Sequence, residues 1–237
     1  KRQEEAPILT PAPAAQTALP SPTPMPEQTP EPTPEPTPEP TPEHINYVHV
    51  AGAVDLREYL PGIQLDIINS TYDNVTGHPL YPPVPLLEEV TAQHLKKAYD
   101  IFLADGYMMI IHDGYRPVSA QQELWDVVQN HLYVANPAGG SWHNIGRAVD
   151  LSLFDIATGQ PLEFPTAAHT LNGSSSRKNY GSWSQTVQHN VDYVTNVMTK
   201  CGFGTISTEW WHFQYEGVNA GYMDRNLDLY ALQAAAD

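Results

Sequence analysis

The stretch SWHNIGRAVDLSLF, residues 141–154, decides how the middle of this chain folds. After Arg147, apolar and polar side chains alternate with the period of a half-buried β-strand. One face of that strand carries three apolar side chains, Val149, Leu151 and Leu153. Asp150 lies on the other face, and Gly146 permits a close turn just before the strand. We therefore predict a strand near residues 147–154 that directs Asp150 into a cleft or, as the alternative, simply into solvent.

A second stretch, EWWH at residues 209–212, adds a carboxylate and an imidazole three residues apart. On a regular strand Glu209 and His212 would point to opposite faces, so a bend, bulge or turn must bring them together. The alternative is a polar pair in an aromatic core strand. Catalytic zinc needs three protein ligands, an open position and a base. His143, Asp150 and His212 can be the ligands of one zinc ion, and Glu209 can be the base.

Composition divides the chain into a spacer, residues 1–44, and one domain, residues 45–237. The first 43 residues hold 14 of the 23 prolines, and the unit TPEP occurs three times in succession from Thr29. Such a segment lacks the apolar surface needed to fold, so we predict an extended, disordered spacer. The remaining length is enough for a sizeable core. Cys201, the single cysteine, is predicted to pack in that core.

The net charge of −16 argues against binding to nucleic acid or to an anionic membrane surface. No run of about 20 apolar residues suggests a membrane span, and no signal peptide is visible. We interpret the chain as a truncated or mature form. The proline-rich spacer leads us to expect an exported protein, tethered to the bacterial cell membrane by an upstream segment absent from this chain.

Periodicity and turn signals predict the remaining elements of the domain. Helices are expected at residues 85–105, 119–132, 187–200 and 222–235, the second opened by a capping box of Ser119 and Gln122. Strands are expected at residues 67–72 and 107–112 and within 203–215, and a long loop at residues 159–182. This order favours an α+β fold, with a central antiparallel sheet, helices mainly on one side and the zinc site in a cleft on the sheet.

The motifs together resemble the zinc D-alanyl-D-alanine dipeptidase and carboxypeptidase family. Five stretches carry the resemblance: SWHNIGRAVD at 141–150, EWWH at 209–212, DGYRP at 113–117, NVTG at 74–77 and CGF at 201–203. The resemblance extends from about residue 66 to residue 217. The resemblance implies the same α+β architecture.

The resemblance also implies a role for each site residue. His143, Asp150 and His212 match the zinc ligands, and Glu209 matches the catalytic base. Arg116 matches the arginine that polarises the scissile carbonyl, a role that suits a permanently charged guanidinium. Ser141 matches a position near the C-terminal end of the substrate, with a simple turn or capping serine as the alternative.

The substrate expected from the resemblance is a D-Ala-D-Ala bond, in the free dipeptide or in a peptidoglycan stem. The dipeptidases carry the segment M-G-x-x-F-D, whose aspartate holds the free amino terminus. Here the stretch LEFPTAAH at 162–169 replaces it, with His169 in place of the aspartate and Glu163 as a possible substitute. Because a desolvated ammonium needs an anion, we favour a D,D-carboxypeptidase that trims stem peptides. The alternatives are a dipeptidase, a peptidase for another peptidoglycan bond and a non-catalytic wall-binding module.

Overall fold

A computed structural model describes residues 47–48, 50, 52–217 and 228–234. The predicted spacer at residues 1–44 and the first part of the predicted terminal helix, residues 222–227, lie outside the described residues. In chain order the elements are β1 (Ala53–Asp55), α1 (Leu56–Tyr59), β2 (Gln64–Leu65), β3 (Leu86–Glu88), α2 (Glu89–Ala104), β4 (Tyr107–Asp113), α3 (Val118–Val128), β5 (Ala148–Asp155), α4 (Gln185–Lys200), β6 (Phe203–Thr205), β7 (His212–Tyr215) and α5 (Leu229–Ala234).

The fold is α+β, and its centre is a five-stranded sheet in the order β2-β4-β5-β7-β6. Three of the four strand pairs are antiparallel, as predicted. The short edge strand β2 pairs with β4 in parallel, so the sheet is mixed rather than wholly antiparallel. Strands β1 and β3 form a separate antiparallel ribbon.

The two faces of the central sheet differ in polarity, because side chains alternate along each strand. One face is apolar and packs against α2 and α4 in a single buried core. Phe102, Met109, Leu151, Met198 and Phe213 are among its buried members. Full burial of one such side chain contributes about 1.5–3 kcal/mol. The opposite face carries the polar residues His112, Asp150, Ser152, His212 and Gln214, all buried.

Several predicted elements differ from the structure in their bounds or type. The helix expected from residue 85 begins only at Glu89, because residues 86–88 pair with β1 as a strand. The strand expected at residues 67–72 is wrong, since the structure has a 3₁₀ turn at Ile68–Ser70. Helix α3 begins at Val118 after Pro117 without a side-chain cap, so the predicted capping box is wrong.

Helix α3 also ends earlier than predicted, at Val128, where Gln129 adopts a left-handed conformation. Leu124 is buried as expected, but Val127 is 57% exposed and Leu132 is 50% exposed. The long loop at residues 159–182 is confirmed in outline and contains two short 3₁₀ helices, Gly173–Ser175 and Arg177–Ser182. Over the described residues, no helix combines the length and apolar character that a bilayer crossing requires.

Candidate metal centre and active site

Three side chains converge on the polar face of the sheet, one from each of three neighbouring backbone segments. His143 lies in a 3₁₀ helix (Trp142–Ile145) that Gly146, at φ 64°, ends just before β5. Asp150 lies in β5 and pairs directly with His212, the first residue of β7. The Asp150 Oδ1 atom is 3.0 Å from His212 Nδ1 and 3.5 Å from His143 Nε2, and the two imidazole nitrogens are 3.2 Å apart.

Hydrogen bonds on the far side of each imidazole fix which nitrogen faces this cluster. His143 Nδ1 is 2.7 Å from the carbonyl of Gly114, so this nitrogen donates and Nε2 presents a lone pair. His212 Nε2 is 3.2 Å from Gln214 Oε1, while the amide nitrogen of Gln214 donates to Glu216. His212 therefore donates through Nε2, and its Nδ1 also presents a lone pair.

Two imidazole lone pairs and a carboxylate oxygen thus meet at one point, an arrangement that a bound divalent cation would satisfy. Zinc holds such ligands at about 2.0–2.2 Å in a tetrahedron, which separates neighbouring ligand atoms by about 3.3–3.5 Å. The separations of 3.0–3.5 Å among these atoms lie close to that range. The carbonyl of Gly114 and the amide of Gln214 supply the outer hydrogen bonds that metal-ligating histidines usually make.

Glu209 lies in an irregular segment, residues 206–211, that precedes β7. The predicted bend between Glu209 and His212 is therefore present, although these residues do not belong to one strand. The Glu209 side chain is buried and lines the same cleft as Asp150 and His212. Burial raises its pKa to about 7, and the carboxylate of Asp150 acts in the same direction. A carboxylate with such a pKa is suited to accept and return a proton near neutral pH.

Arg116 reaches the cleft from the loop after β4 and is held by two neighbours. Its Nε and Nη2 donate to Asp113 Oδ2 at 3.0 and 2.5 Å, and its Nη1 donates to Gln121 Oε1 at 2.9 Å. Burial alone would raise the pKa of the Asp113 carboxyl, but the guanidinium of Arg116 keeps this pKa below its ordinary value. Tyr81 also donates to Asp113, at 2.9 Å. These hydrogen bonds fix the orientation of the guanidinium, which keeps its positive charge.

Ser141 caps the short helix that carries His143. Its hydroxyl accepts from the backbone N–H of His143 at 3.3 Å, and its own N–H donates to Asn144 Oδ1 at 2.8 Å. This is the capping alternative considered from the sequence. Ser141 also lines the cleft beside His143, so its predicted substrate contact is sterically open and stays a prediction.

His169 occupies a position that the sequence left without a clear role. Its Nε2 lies 3.0 Å from Asp150 Oδ2, the oxygen that faces away from His143 and His212. With Asp113 and Asp150 it forms a second group of metal-ligand type. The carboxylate of Asp113 already accepts from Arg116, Tyr81 and a backbone N–H, so hydrogen bonding accounts for this group. His169 therefore orients the second oxygen of Asp150.

Asp113 and Gln214 support predicted site residues, and the sequence did not predict this role for either of them. Asp113 was visible only as the first letter of the DGYRP stretch, and Gln214 only as the second residue after His212. In each case the available signal was proximity to a predicted site residue. Neither spacing indicates which side chain will accept or donate a hydrogen bond.

Two adjoining cavities meet at Arg116, Tyr133, Asp150 and Glu209. The first cavity extends toward the loop at residues 68–75 and is lined by His169 as well as by several apolar side chains. The second cavity extends toward residues 131–142, including Ser141, and toward His212. The cleft therefore extends in two directions from the residues that the two cavities share.

A family model and several curated proteins match this chain. The family Peptidase_M15, described as D-ala-D-ala dipeptidase, matches residues 49–231. The D-alanyl-D-alanine dipeptidase of Escherichia coli (strain K12) is 32% identical over 162 residues, which cover 68% of this chain and 83% of that protein. The D-alanyl-D-alanine dipeptidase of Enterococcus faecium is 27% identical over 183 residues, covering 68% of this chain and 90% of that protein.

Two solved structures are also similar. The structure of VanYB in complex with D-alanine-D-alanine has 20% sequence identity and a TM-score of 0.39, and the match covers 56% of this chain and 74% of that one. The structure of the LdcB LD-carboxypeptidase has 19% identity and a TM-score of 0.41, and the match covers 81% of this chain and 76% of that one.

Proposed function

The chain belongs to the D-Ala-D-Ala dipeptidase family, Peptidase_M15, and is a zinc metallopeptidase of D-Ala-D-Ala bonds; from this premise we propose that it is a D,D-carboxypeptidase of peptidoglycan stem peptides. The observation that carries the proposal is the imidazole of His169, which faces Asp150 and lines the first cavity. In the dipeptidases that this chain resembles, an aspartate at the corresponding position holds a free amino terminus. An acylated nitrogen needs no such anion.

The proposed metal ligands are His143, Asp150 and His212, for the geometric reasons given above. Zinc at this position supplies a Lewis acid that lowers the pKa of water toward about 7 and polarises the scissile carbonyl. Glu209 accepts the proton of the attacking water and returns it to the leaving nitrogen of D-alanine. Arg116 donates from its guanidinium to the oxygen on which negative charge develops.

The rest of the cleft agrees with a substrate that extends in both directions from the scissile bond. The second cavity, with Ser141 on its wall, is the proposed site of the terminal D-alanine. The first cavity then receives the residues that precede the bond. Glu163 is exposed and does not line either of these two cavities, so it is not the substitute carboxylate considered from the sequence.

A second candidate function is hydrolysis of free D-Ala-D-Ala. The curated relatives reported above are named dipeptidases. In addition, the exposed carboxylate of Asp73 lines the first cavity, where it could face a free ammonium. We rank this candidate second because Asp73 is exposed, and an exposed carboxylate gains little from pairing with an ammonium.

The discriminating experiment measures D-alanine release by the zinc-loaded protein from diacetyl-L-lysyl-D-alanyl-D-alanine and from free D-Ala-D-Ala. We expect a higher kcat/KM for the acylated peptide, and the same preference in the Asp73→Asn variant. Preference for the free dipeptide, lost in Asp73→Asn, would establish the second candidate instead. Release from neither substrate would contradict both.

The site of action follows from the proposed substrate. Stem peptides lie outside the cell membrane, and a proline-rich spacer suits an enzyme that must reach them from an anchor. We therefore propose an extracytoplasmic location with tethering through a segment upstream of this chain. Fractionation of cells that produce the native protein tests this, and recovery from the cytosol would contradict it.

A further inference from the structure

The irregular segment that carries Glu209 lacks the strand pairing that supports its neighbours. The ladder between β5 and β7 pairs Asp150 with His212, and the N–H of Leu151 still donates to the carbonyl of Trp211 at 3.1 Å. Before Trp211 the chain no longer pairs with β5. Glu209 and Trp210 are nevertheless buried, and buried carbonyl groups require hydrogen-bond donors.

Those donors come from Ser175, Ser176 and Arg177 in the loop after β5, which we call the carbonyl clasp. The hydroxyls of Ser175 and Ser176 donate to the carbonyls of residues 208 and 207 at 3.1 and 2.8 Å. The backbone N–H of Arg177 also donates to the carbonyl of residue 207, at 3.0 Å. Four consecutive carbonyls, those of residues 207–210, are thereby satisfied by three consecutive residues of the clasp.

Arg177 makes the two contacts of the clasp that lie nearest the active site. Its Nε donates to the carbonyl of Glu209 at 3.3 Å, and its Nη2 donates to the carbonyl of Trp210 at 2.6 Å. Its Nη1 donates to Thr195 Oγ1 on α4 at 2.8 Å, and its guanidinium lies 5.5 Å from the ring centre of Phe213 in β7. The guanidinium therefore joins the segment of Glu209 to two regular elements.

These contacts support the main chain of the segment that carries Glu209, and they differ in kind from a surface ion pair. The three hydrogen bonds of the side chain go to two main-chain carbonyls and one hydroxyl. A planar guanidinium can donate to two adjacent carbonyls at fixed angles, which a lysine ammonium cannot match. The same loop also holds the side chain of Trp210, whose ring stacks on Phe164 with centroids 4.2 Å apart.

We infer that Arg177 is a positioning residue for Glu209, acting through the main chain of residues 209 and 210. The inference rests on the proposed function, in which Glu209 is the base. It also explains how two residues three apart can serve one site. Loss of pairing frees the backbone to bend, and the clasp fixes the bend in one conformation.

The test compares Arg177→Ala with Ser176→Ala as the matched control. Arg177→Ala removes the donors to residues 209 and 210, and a displacement of the base by about 1 Å costs on the order of 100-fold in kcat. We expect this loss of kcat with an unchanged KM and a full zinc content, because the proposed ligands His143, Asp150 and His212 lie outside the segment 206–211. Ser176→Ala should keep wild-type kcat, because the N–H of Arg177 still donates to residue 207.

Two further readouts separate a positioning role from a general loss of structure. Low millimolar guanidinium should restore part of the kcat of Arg177→Ala, whereas equal sodium chloride should not. Hydrogen exchange should accelerate at the amides of residues 207–211 in Arg177→Ala and stay unchanged in β5. Wild-type kcat in Arg177→Ala, or a loss explained wholly by missing zinc, would overturn the inference.

The exchange experiment also distinguishes failure of this inference from failure of the proposed function. If the wild-type protein hydrolyses neither substrate, the proposed function fails, yet exchange at residues 207–211 still reports on the clasp. Unchanged exchange in Arg177→Ala would overturn the inference whatever the wild-type protein hydrolyses.

Discussion

At the scale of single residues, the proton positions on two imidazoles decide what the site can bind. His143 and His212 each donate on one side, to the carbonyl of Gly114 and the amide oxygen of Gln214. Each therefore presents a lone pair on the other side, next to Asp150. The sequence predicted which residue types would meet. It could not predict the acceptors behind them, because nothing in the spacing of the residues shows that the carbonyl of Gly114 or the side chain of Gln214 faces an imidazole.

Replacement of Gln214 by leucine tests the support of His212. Leucine has a similar volume but cannot accept from Nε2, so the imidazole loses its fixed orientation and tautomer. We expect zinc affinity to fall about 10–100-fold, measured by competition with a chelating dye. Gln160→Leu, on the exposed surface, is the control and should bind zinc as tightly as the wild type does. Equal affinity in all three proteins would contradict the assignment.

The pKa of Glu209 predicts how the metal-free protein responds to pH. Burial raises this pKa from 4.5 to about 7, so the folded state binds the proton more tightly than the unfolded state does. The contribution of Glu209 to stability is therefore greatest below pH 4.5 and is lost as the pH rises toward 7. At pH 8 we expect metal-free Glu209→Gln to be more stable than the wild type by about 3 kcal/mol, since one pKa unit corresponds to about 1.4 kcal/mol.

Urea unfolding in the presence of a chelator measures this difference at several pH values. The advantage of Glu209→Gln should shrink as the pH falls from 8 toward 5. Glu163→Gln, at an exposed carboxylate, is the control variant. A stability difference between Glu209→Gln and the wild type that does not change with pH would contradict the role assigned to burial.

At the scale of elements, long periodic segments were predictable and short ones were not. The strand at β5 and the helix at α4 are confirmed because each has a periodic apolar face that must be buried, and the strand at β4 is confirmed as a continuous apolar run. Strand β3, with the sequence LLE, was predicted as the first turn of α2, since three residues are too few to show a period. These residues form a strand because they pair with β1, which lies about 30 residues earlier in the chain.

Gly114 follows β4 and lies close to β3, so a substitution at this position tests how the spacing of these two strands affects the site. A Cβ atom there would lie 2.8 Å from the carbonyl oxygen of Leu86 in β3. The loop after β4 would have to move, and it carries both Arg116 and the carbonyl that accepts from His143. We expect Gly114→Ala to lose about 1–3 kcal/mol of stability, together with most of its activity.

Gly139→Ala is the control for that experiment, because its Cβ would meet its nearest neighbour at an ordinary 3.6 Å. Urea unfolding and D-alanine release should both stay close to wild-type values in this variant. Wild-type stability and activity in Gly114→Ala would show that the approach of β3 to this loop does not constrain the site.

At the scale of the whole molecule, one face of the sheet forms the apolar core and the other carries the candidate site. One face is buried against α2 and α4, and the other bears the polar cluster. The α+β class was predictable from the order of helices and strands, and the alternation in β5 placed Asp150 opposite the apolar face. The parallel pairing of β2 was not, since a strand of two exposed residues leaves no pattern in the sequence.

The division of the chain at residue 44 leads to a prediction about the spacer. Because the segment 1–44 is proline-rich and contributes no predicted site residue, a protein that begins at Ile45 should fold and hydrolyse substrate as the full chain does. Circular dichroism, thermal unfolding and kcat/KM in solution measure this. A marked loss of stability or of activity on truncation would contradict the proposed independence of the domain.

The measurement that tests the central claim most directly is D-alanine release from the acylated stem peptide by wild-type protein and Glu209→Gln, each with its zinc content determined. The account predicts rapid release by the zinc-loaded wild type and none after chelation. It predicts one zinc per chain in Glu209→Gln with release lowered by about 10²–10⁴-fold. Undiminished release by Glu209→Gln, or release that does not depend on zinc, would contradict it.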